Sequence, residues 1–319
     1  MNILFISPYL PSETSGHAGA QLIFRNIVSL AKNHQITLAA FIDSGENDMI
    51  KPLINYGINV HTIFYPRNQK SFGGKLSSGI RNIGPMVKFI SGKEPFYFAK
   101  YKNIQMADLI SRLIDENAFD IVQIEYNVMH HYTKQVGNIP NVIVFHDVLS
   151  KVYERGKAFG NTSNNRSYKI SRLLEPSIAN KFNAVVTLTQ EDHDYLQDLG
   201  CRSPIHVIPP QIKIPEIGIT AKSPKSICYV GSYNREPNIQ AVQILIDELF
   251  PKLSGSIELN IVGKGLPNHL ANKVKGSQGI NYLGFIEDID GFLASQMIMV
   301  APIQIGSGLK MKIPHALAC

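Results

Sequence analysis

The sequence predicts an α/β protein built from two doubly wound parallel-sheet domains, and three observations carry that expectation. Short runs of β-branched and large apolar residues alternate with helical periodicity almost throughout, the pattern of parallel sheets with helices on both faces. The alternation is interrupted once, by a stretch holding Pro209, Pro210, Pro215 and Pro224. A chain of 319 residues, 44% hydrophobic and 18% charged, is also long enough for two cores.

Taken in order, residues 3–7, 36–42, 58–64, 121–125, 142–145, 185–189 and 205–208 read as strands. Helices are expected over 20–32, 104–116 and 167–182. These make a first domain over 1–208. Residues 209–224 read as an extended linker, because clustered prolines suit neither helix nor central strand. The alternation resumes over 225–319 with strands at 226–230, 257–262, 280–283 and 297–301, and helices at 237–250, 266–275 and 289–294. Four strands are fewer than the roughly six of a doubly wound half. The second domain is therefore expected to be partial, the chain truncated within it, and the site there loosely ordered, with weak or no activity. Pro314 predicts that the final helix starts near Ile313, leaving Lys310 and Lys312 extended.

Composition narrows the function classes. Three widely spaced cysteines, Cys201, Cys228 and Cys319, form neither a disulfide framework nor a zinc pattern, so a reducing, cytoplasmic location is expected. No apolar run is long enough to span a bilayer. The formal charge of +6 is mild for a nucleic-acid binder and unevenly spread. From Arg67 to Lys102, eight bases stand against the single acid Glu94, interleaved with Phe72, Phe89, Phe96, Tyr97, Phe98 and Tyr101. Such a segment suits an anionic membrane face or a lipid-linked acceptor; a long loop and short helix covering the side of a domain is the plainer alternative.

In open parallel sheets, ligands sit at the carboxyl ends of strands. The loops there carry Gly16 and Gly19 after the first strand, Glu125-Tyr126 and His146-Asp147 later. In the second domain they carry Gly231-Ser232, Gly263-Lys264-Gly265, Gly284-Phe285-Ile286 and Gly306-Ser307-Gly308. Glycines at every strand end of the second domain would let backbone approach a ligand, and the following Lys310 and Lys312 supply charge for a phosphate. His146 alternatively reads as a satisfied, half-buried histidine. His130 and His131 read as surface residues without a metal role. Asp192-His193-Asp194 and Asp288-Ile289-Asp290 fall at expected helix starts, where acids cap the first turn. No Gly-x-Gly-x-x-Gly or P-loop is present, which argues against a nicotinamide oxidoreductase or a P-loop nucleotidase.

These phrases, in this order and over nearly the whole chain, resemble the retaining family-four glycosyltransferases of the GT-B fold. The strongest matches are Val230-Gly231 with Pro237-Asn238, the run from Ile261 to Gly265, the run from Gly284 to Asp288, Ala301-Pro302, and the run from Gly306 to Lys312. The resemblance implies that the C-terminal domain binds a nucleotide-sugar and the N-terminal domain supplies the acceptor site, with a glycan or lipid-linked acceptor. Gly284, Phe285 and Ile286 would line the base. Gly306, Ser307, Gly308, Leu309 and Lys310 would meet the pyrophosphate and sugar, Gly231, Ser232 and Gly263 would belong to the donor site, and Lys310 or Lys312 would neutralise the leaving diphosphate. Gly16 and Gly19 would close on the phosphates, and His146 would sit over the donor sugar.

The resemblance further implies no metal and no cofactor, the nucleotide-sugar being a substrate. It suggests a role in cell-surface polysaccharide or glycolipid synthesis, in the cytoplasm or peripherally at the inner membrane face. Ser232, Ser307 and His315 depart from the family's charged residues, His315 replacing a carboxylate that grips the ribose. A catalytically inactive sugar-nucleotide- or partner-binding descendant is the alternative, with a GT-B epimerase a third reading.

Overall fold

The computed structural model describes residues 1–15, 17–67, 72–158, 164–212, 214–218, 222–253, 256–304 and 310–319. The chain divides into two compact units, Met1–Gln211 and Ile212–Cys319.

The first unit is built on seven strands: β1 (Asn2–Ser7), β2 (Gln35–Ile42), β3 (Asn59–Phe64), β4 (Ile121–Glu125), β5 (Asn141–Phe145), β6 (Ala184–Thr187) and β7 (Ile205–Val207). They form one parallel sheet in the order β3-β2-β1-β4-β5-β6-β7. Helices α1 (Ala18–Ala31), α2 (Ile50–Asn55), α3 (Phe72–Ile90), α4 (Phe96–Ala99), α5 (Ile104–Glu116), α6 (Thr133–Val136), α7 (Leu149–Ala158), α8 (Asn164–Ala179) and α9 (Gln190–Asp198) connect them. Alternate residues of a strand point to opposite faces, so Leu4, Ile6, Ala39 and Phe41 join one core while Ile3, Phe5, Leu38 and Ala40 join the other. Apolar residues on both faces are why these strands read as continuous hydrophobic runs.

The second unit holds β8 (Ser226–Val230), β9 (Glu258–Val262), β10 (Ile280–Gly284) and β11 (Ile298–Met299), parallel in the order β10-β9-β8-β11. Its helices are α10 (Glu236–Ile244), α11 (Asn268–Lys275), α12 (Ile289–Ser295) and α13 (Lys312–Ala318). Tyr229, Ala241, Val242, Leu259, Ile261 and Leu270 form its core. No described helix is long and apolar enough to cross a membrane.

The final helix begins at Lys312, within one residue of the expected start. Pro314 is tolerated there because it stands at the third helical position, where a backbone N–H has no intrahelical acceptor to lose. Residues 72–90 form a 19-residue helix in spite of Pro85, and not a loop with a short helix. His130 and His131 are not surface residues: both lie in a 3₁₀ turn over Asn127–Tyr132 and approach buried Glu94 at 3.2 and 3.0 Å. Lys88 donates to the other oxygen of Glu94 at 2.7 Å. The one acid of the basic segment is therefore consumed internally, its carboxyl held well below the ordinary range by these donors against the pull of burial. Both Asp-x-Asp phrases do start helices: Asp288 caps α12 through the N–H of Gly291, and Asp192 lies in the first turn of α9, capped by Thr189.

Candidate active site

Sheet topology marks one crevice in each unit. The strand order reverses between β1 and β4 in the first sheet, and between β8 and β11 in the second. Neighbouring connections there leave on opposite faces, which opens a groove at the carboxyl ends.

In the second unit, β8 ends at Gly231 and the segment after β11 returns with Lys310 and α13. Lys312 is the first residue of that helix, so it is not extended as expected; its side chain turns back to β8. Its ammonium donates to Asn238 Oδ1 at 2.8 Å and Tyr229 Oη at 3.1 Å, and lies 4.5 Å from the centroid of the Tyr229 ring. Tyr229 Oη also donates to Asn238 Oδ1 at 2.9 Å. No carboxylate pairs with Lys312 among the described residues. Burial, with Arg235 and Lys310 nearby, pulls its ammonium down to about 8. An anion at the end of β8 would relieve this ammonium.

The strand-end glycines serve each other. A Cβ on Gly263 would sit 1.7 Å from the carbonyl oxygen of Gly231, and its φ of +136° lies outside the range of other residues. Gly263 N–H donates to Gly284 O at 2.7 Å, and Gly231 N–H to Val262 O at 3.0 Å. Three strand ends are therefore locked by backbone alone. Beside them Ser232 donates to Asn234 Oδ1, Phe285 is exposed with Lys264 Nζ 4.0 Å from its centroid, and Ile286 is half-buried. His315 meets Asp290 at 2.6 Å, so a carboxylate does stand at the departing histidine, supplied by α12. Gly16, Gly306, Ser307, Gly308 and Leu309 lie outside the described residues.

In the first unit, β4 ends in Glu125 and Tyr126 and β5 in His146. Glu125 is buried, and His146 donates from Nε2 to its carboxylate at 2.7 Å. A carboxylate only accepts, so Nε2 carries the proton in this pair. The imidazole, 6% exposed, stacks on Tyr126 with centroids 3.8 Å apart and planes at 5°. Tyr126 holds φ at +69°, a left-handed value uncommon for an aromatic residue. Its hydroxyl reaches the first turn of α1, where a Cβ on Gly19 would lie 1.7 Å from it. Gly19 thus makes room for Tyr126, a role that sequence reading missed.

Around these residues, Tyr9 follows β1 and stacks on His17 at 4.2 Å. Its hydroxyl meets Tyr97 Oη at 3.0 Å and accepts from Tyr101 Oη at 3.2 Å. Phe98 and Tyr101 are buried. Part of the aromatic content of the basic segment therefore turns inward, Tyr101 packing against Phe41 and Tyr65.

Two parallel-sheet units, each with a polar crevice at its carboxyl edge, define a GT-B protein. Residues 29–214 match the family described as Glycosyltransferase Family 4, and residues 224–319 match Glycosyl transferases group 1. The chain belongs to these glycosyltransferases. No curated protein sequence matches it. Among solved structures it is similar to Anabaena Alr3699/HepE in complex with UDP and glucose, at 14% identity and TM-score 0.60, covering 100% of this chain and 78% of that one. Sucrose-phosphate synthase from Thermosynechococcus elongatus aligns at 11% identity and TM-score 0.68, covering 100% and 79%. The lipopolysaccharide outer core galactosyltransferase WaaB, in its apo form, aligns at 13% and 0.60, covering 100% and 78%.

Proposed function

We propose that the protein transfers a sugar from a nucleoside diphosphate sugar to a glycan or lipid-linked acceptor with retention at the anomeric carbon. The observation that carries this reading is the Lys312 ammonium at the end of β8, held mostly buried with Arg235 and Lys310 nearby and without a carboxylate partner among the described residues. A diphosphate supplies negative charge beside that ammonium, and it gains on departure from the sugar further negative charge that Lys312 stabilises. The bond from the anomeric carbon to the phosphate oxygen breaks, the bond to the acceptor oxygen forms, and the acceptor proton leaves with the diphosphate. Phe285, exposed beside Gly284, offers a face for the base. His146, oriented by Glu125, offers Nδ1 to a sugar hydroxyl.

The UDP and glucose bound to Alr3699/HepE, and the lipopolysaccharide outer core galactosyltransferase WaaB, support a role in surface polysaccharide or glycolipid synthesis. We extend the proposal to an anionic membrane face: α3 exposes Ile83, Met86, Val87 and Ile90 at helical spacing, among bases whose one nearby acid is buried.

Calorimetric titration with a panel of nucleoside diphosphates tests the donor reading, followed by assays of free sugar release from the matching nucleotide-sugars. Binding of one diphosphate with slow sugar release is expected. Binding without turnover of any matching donor would establish the inactive alternative, and no diphosphate binding would overturn both.

A further inference from the structure

Position 100 is where the first unit's charge fails to balance. Lys100 closes α4, and its ammonium lies 4.4 Å from the Tyr97 centroid and 5.0 Å from that of Tyr101. No carboxylate pairs with it among the described residues. The Arg81 guanidinium, from α3, lies 4.4 Å from the Tyr65 centroid and donates one N–H to Pro66 O at 2.8 Å, while its Nε is buried without a partner. Tyr65 and Tyr101 stack at 5.7 Å and 19°, so the two cations rest on adjoining rings of one cluster. Arg67 does have acids, Asp43 and Glu46, and it consumes both.

Aromatic faces offset part of the desolvation of a cation and do nothing for repulsion between cations. Burial above all, then Arg81 and Arg67, pulls the Lys100 ammonium down to about 8. The tyrosine hydroxyls add a donor. Tyr9, Tyr97 and Tyr101 share two hydrogen bonds, which use two of their three O–H groups. One O–H, from Tyr9 or Tyr97, is left to give.

We propose that Lys100, Arg81 and this free hydroxyl form a subsite for an oxyanion, a phosphate or carboxylate carried by the acceptor. The proposal rests on the glycosyltransferase reading only in naming the acceptor as the bearer. Position supports it: Tyr9 and Tyr65 follow the carboxyl ends of β1 and β3, on the edge that carries Glu125, Tyr126 and His146. A neutral sugar hydroxyl would leave both cations uncompensated, whereas a phosphate oxygen satisfies a lysine, an arginine N–H and a phenol together.

The test is calorimetric titration of inorganic pyrophosphate into the full chain, already saturated with whichever nucleoside diphosphate it binds. Binding is expected in the unaltered protein, and about tenfold weakening in Lys100→Met and in Arg81→Gln. Tyr97→Phe should weaken it less, and Lys93→Met should leave it unchanged. Circular dichroism checks that the variants fold; Arg81, on a half-exposed helix, serves if Lys100→Met does not. Phosphatidylglycerol vesicles form a second arm. Lysine- and arginine-dependent binding to them without pyrophosphate binding assigns the oxyanion to a lipid headgroup, and the reverse to a soluble phosphate. Absence of both, or binding that Lys100→Met and Arg81→Gln leave intact, overturns the subsite. Failure of the donor reading would appear separately, as loss of nucleotide binding with the pyrophosphate response preserved.

Discussion

Replacing Lys312 with methionine should move stability and nucleotide affinity in opposite directions. Holding an ammonium in a site that lowers its pKa from 10.5 to about 8 costs on the order of 3 kcal/mol, less the part that solvent recovers. Methionine of similar length removes that cost, and Tyr229 and Asn238 keep their mutual hydrogen bond, so neither is orphaned. The fold should gain about 1–2 kcal/mol, as replacing uncompensated buried charge does elsewhere. The diphosphate loses a charge-assisted contact worth about 1.5–3 kcal/mol, a roughly ten- to 150-fold rise in Kd. Denaturant unfolding reads the first quantity and calorimetry with the bound nucleoside diphosphate the second. The pH dependence has a set sign: the native state binds fewer protons than the unfolded one between about 8 and 10.5, so Lys312 makes stability rise with pH there, while nucleotide affinity falls above about 8. A destabilised variant with unchanged affinity would refute the argument, since Lys312 would then be a structural strut.

Three further outcomes follow from other sites. Gly19→Ala should destabilise the first unit by about 1–3 kcal/mol, because its Cβ meets the Tyr126 hydroxyl, and Tyr126→Phe should recover part of that loss in thermal unfolding. Glu175 is fully buried against Ser150, Leu149 N–H and Asn127; burial outweighs these donors and raises its carboxyl to about 7. The native state therefore holds an extra proton between about 4.5 and 7, and stability from this group should fall as pH rises through that window, a slope absent in Glu175→Gln unfolding curves. Changing Ile83, Val87 and Ile90 to serine should reduce sedimentation with anionic vesicles, and salt should weaken the binding of the original protein; equal binding by both proteins would count against α3 as the membrane face.

What the sequence showed and what it hid divide along physical lines. Strands buried on both faces announce themselves as apolar runs, and all eleven stand within two residues of their expected ends. Glycines at strand ends were legible as close approach, but not that Gly231 and Gly263 approach each other, since that depends on register between β8 and β9. The segment 67–102 misled because charge and aromatic content were read as one surface. Folding separates them: Phe98 and Tyr101 turn inward, Glu94 is drawn under His130 and His131, and the aliphatic residues of α3 turn out. The partnership of Glu125, His146, Tyr126 and Gly19 joins four positions on three elements and leaves no local signature. Its one sequence trace was the polar residues at consecutive strand ends.

The backbone lock at Gly231, Gly263 and Gly284 limits how this unit can diversify. A floor made of main chain has no side chains to exchange, and any substitution at Gly263 meets a carbonyl oxygen before it meets a ligand. On the proposed donor reading, drift in ligand preference would run through the rim, at Ser232, Lys264, Phe285 and the pair of Asp290 with His315, where single changes leave the strand ends in place. Closely related enzymes with different donors should accordingly share this floor and differ around it.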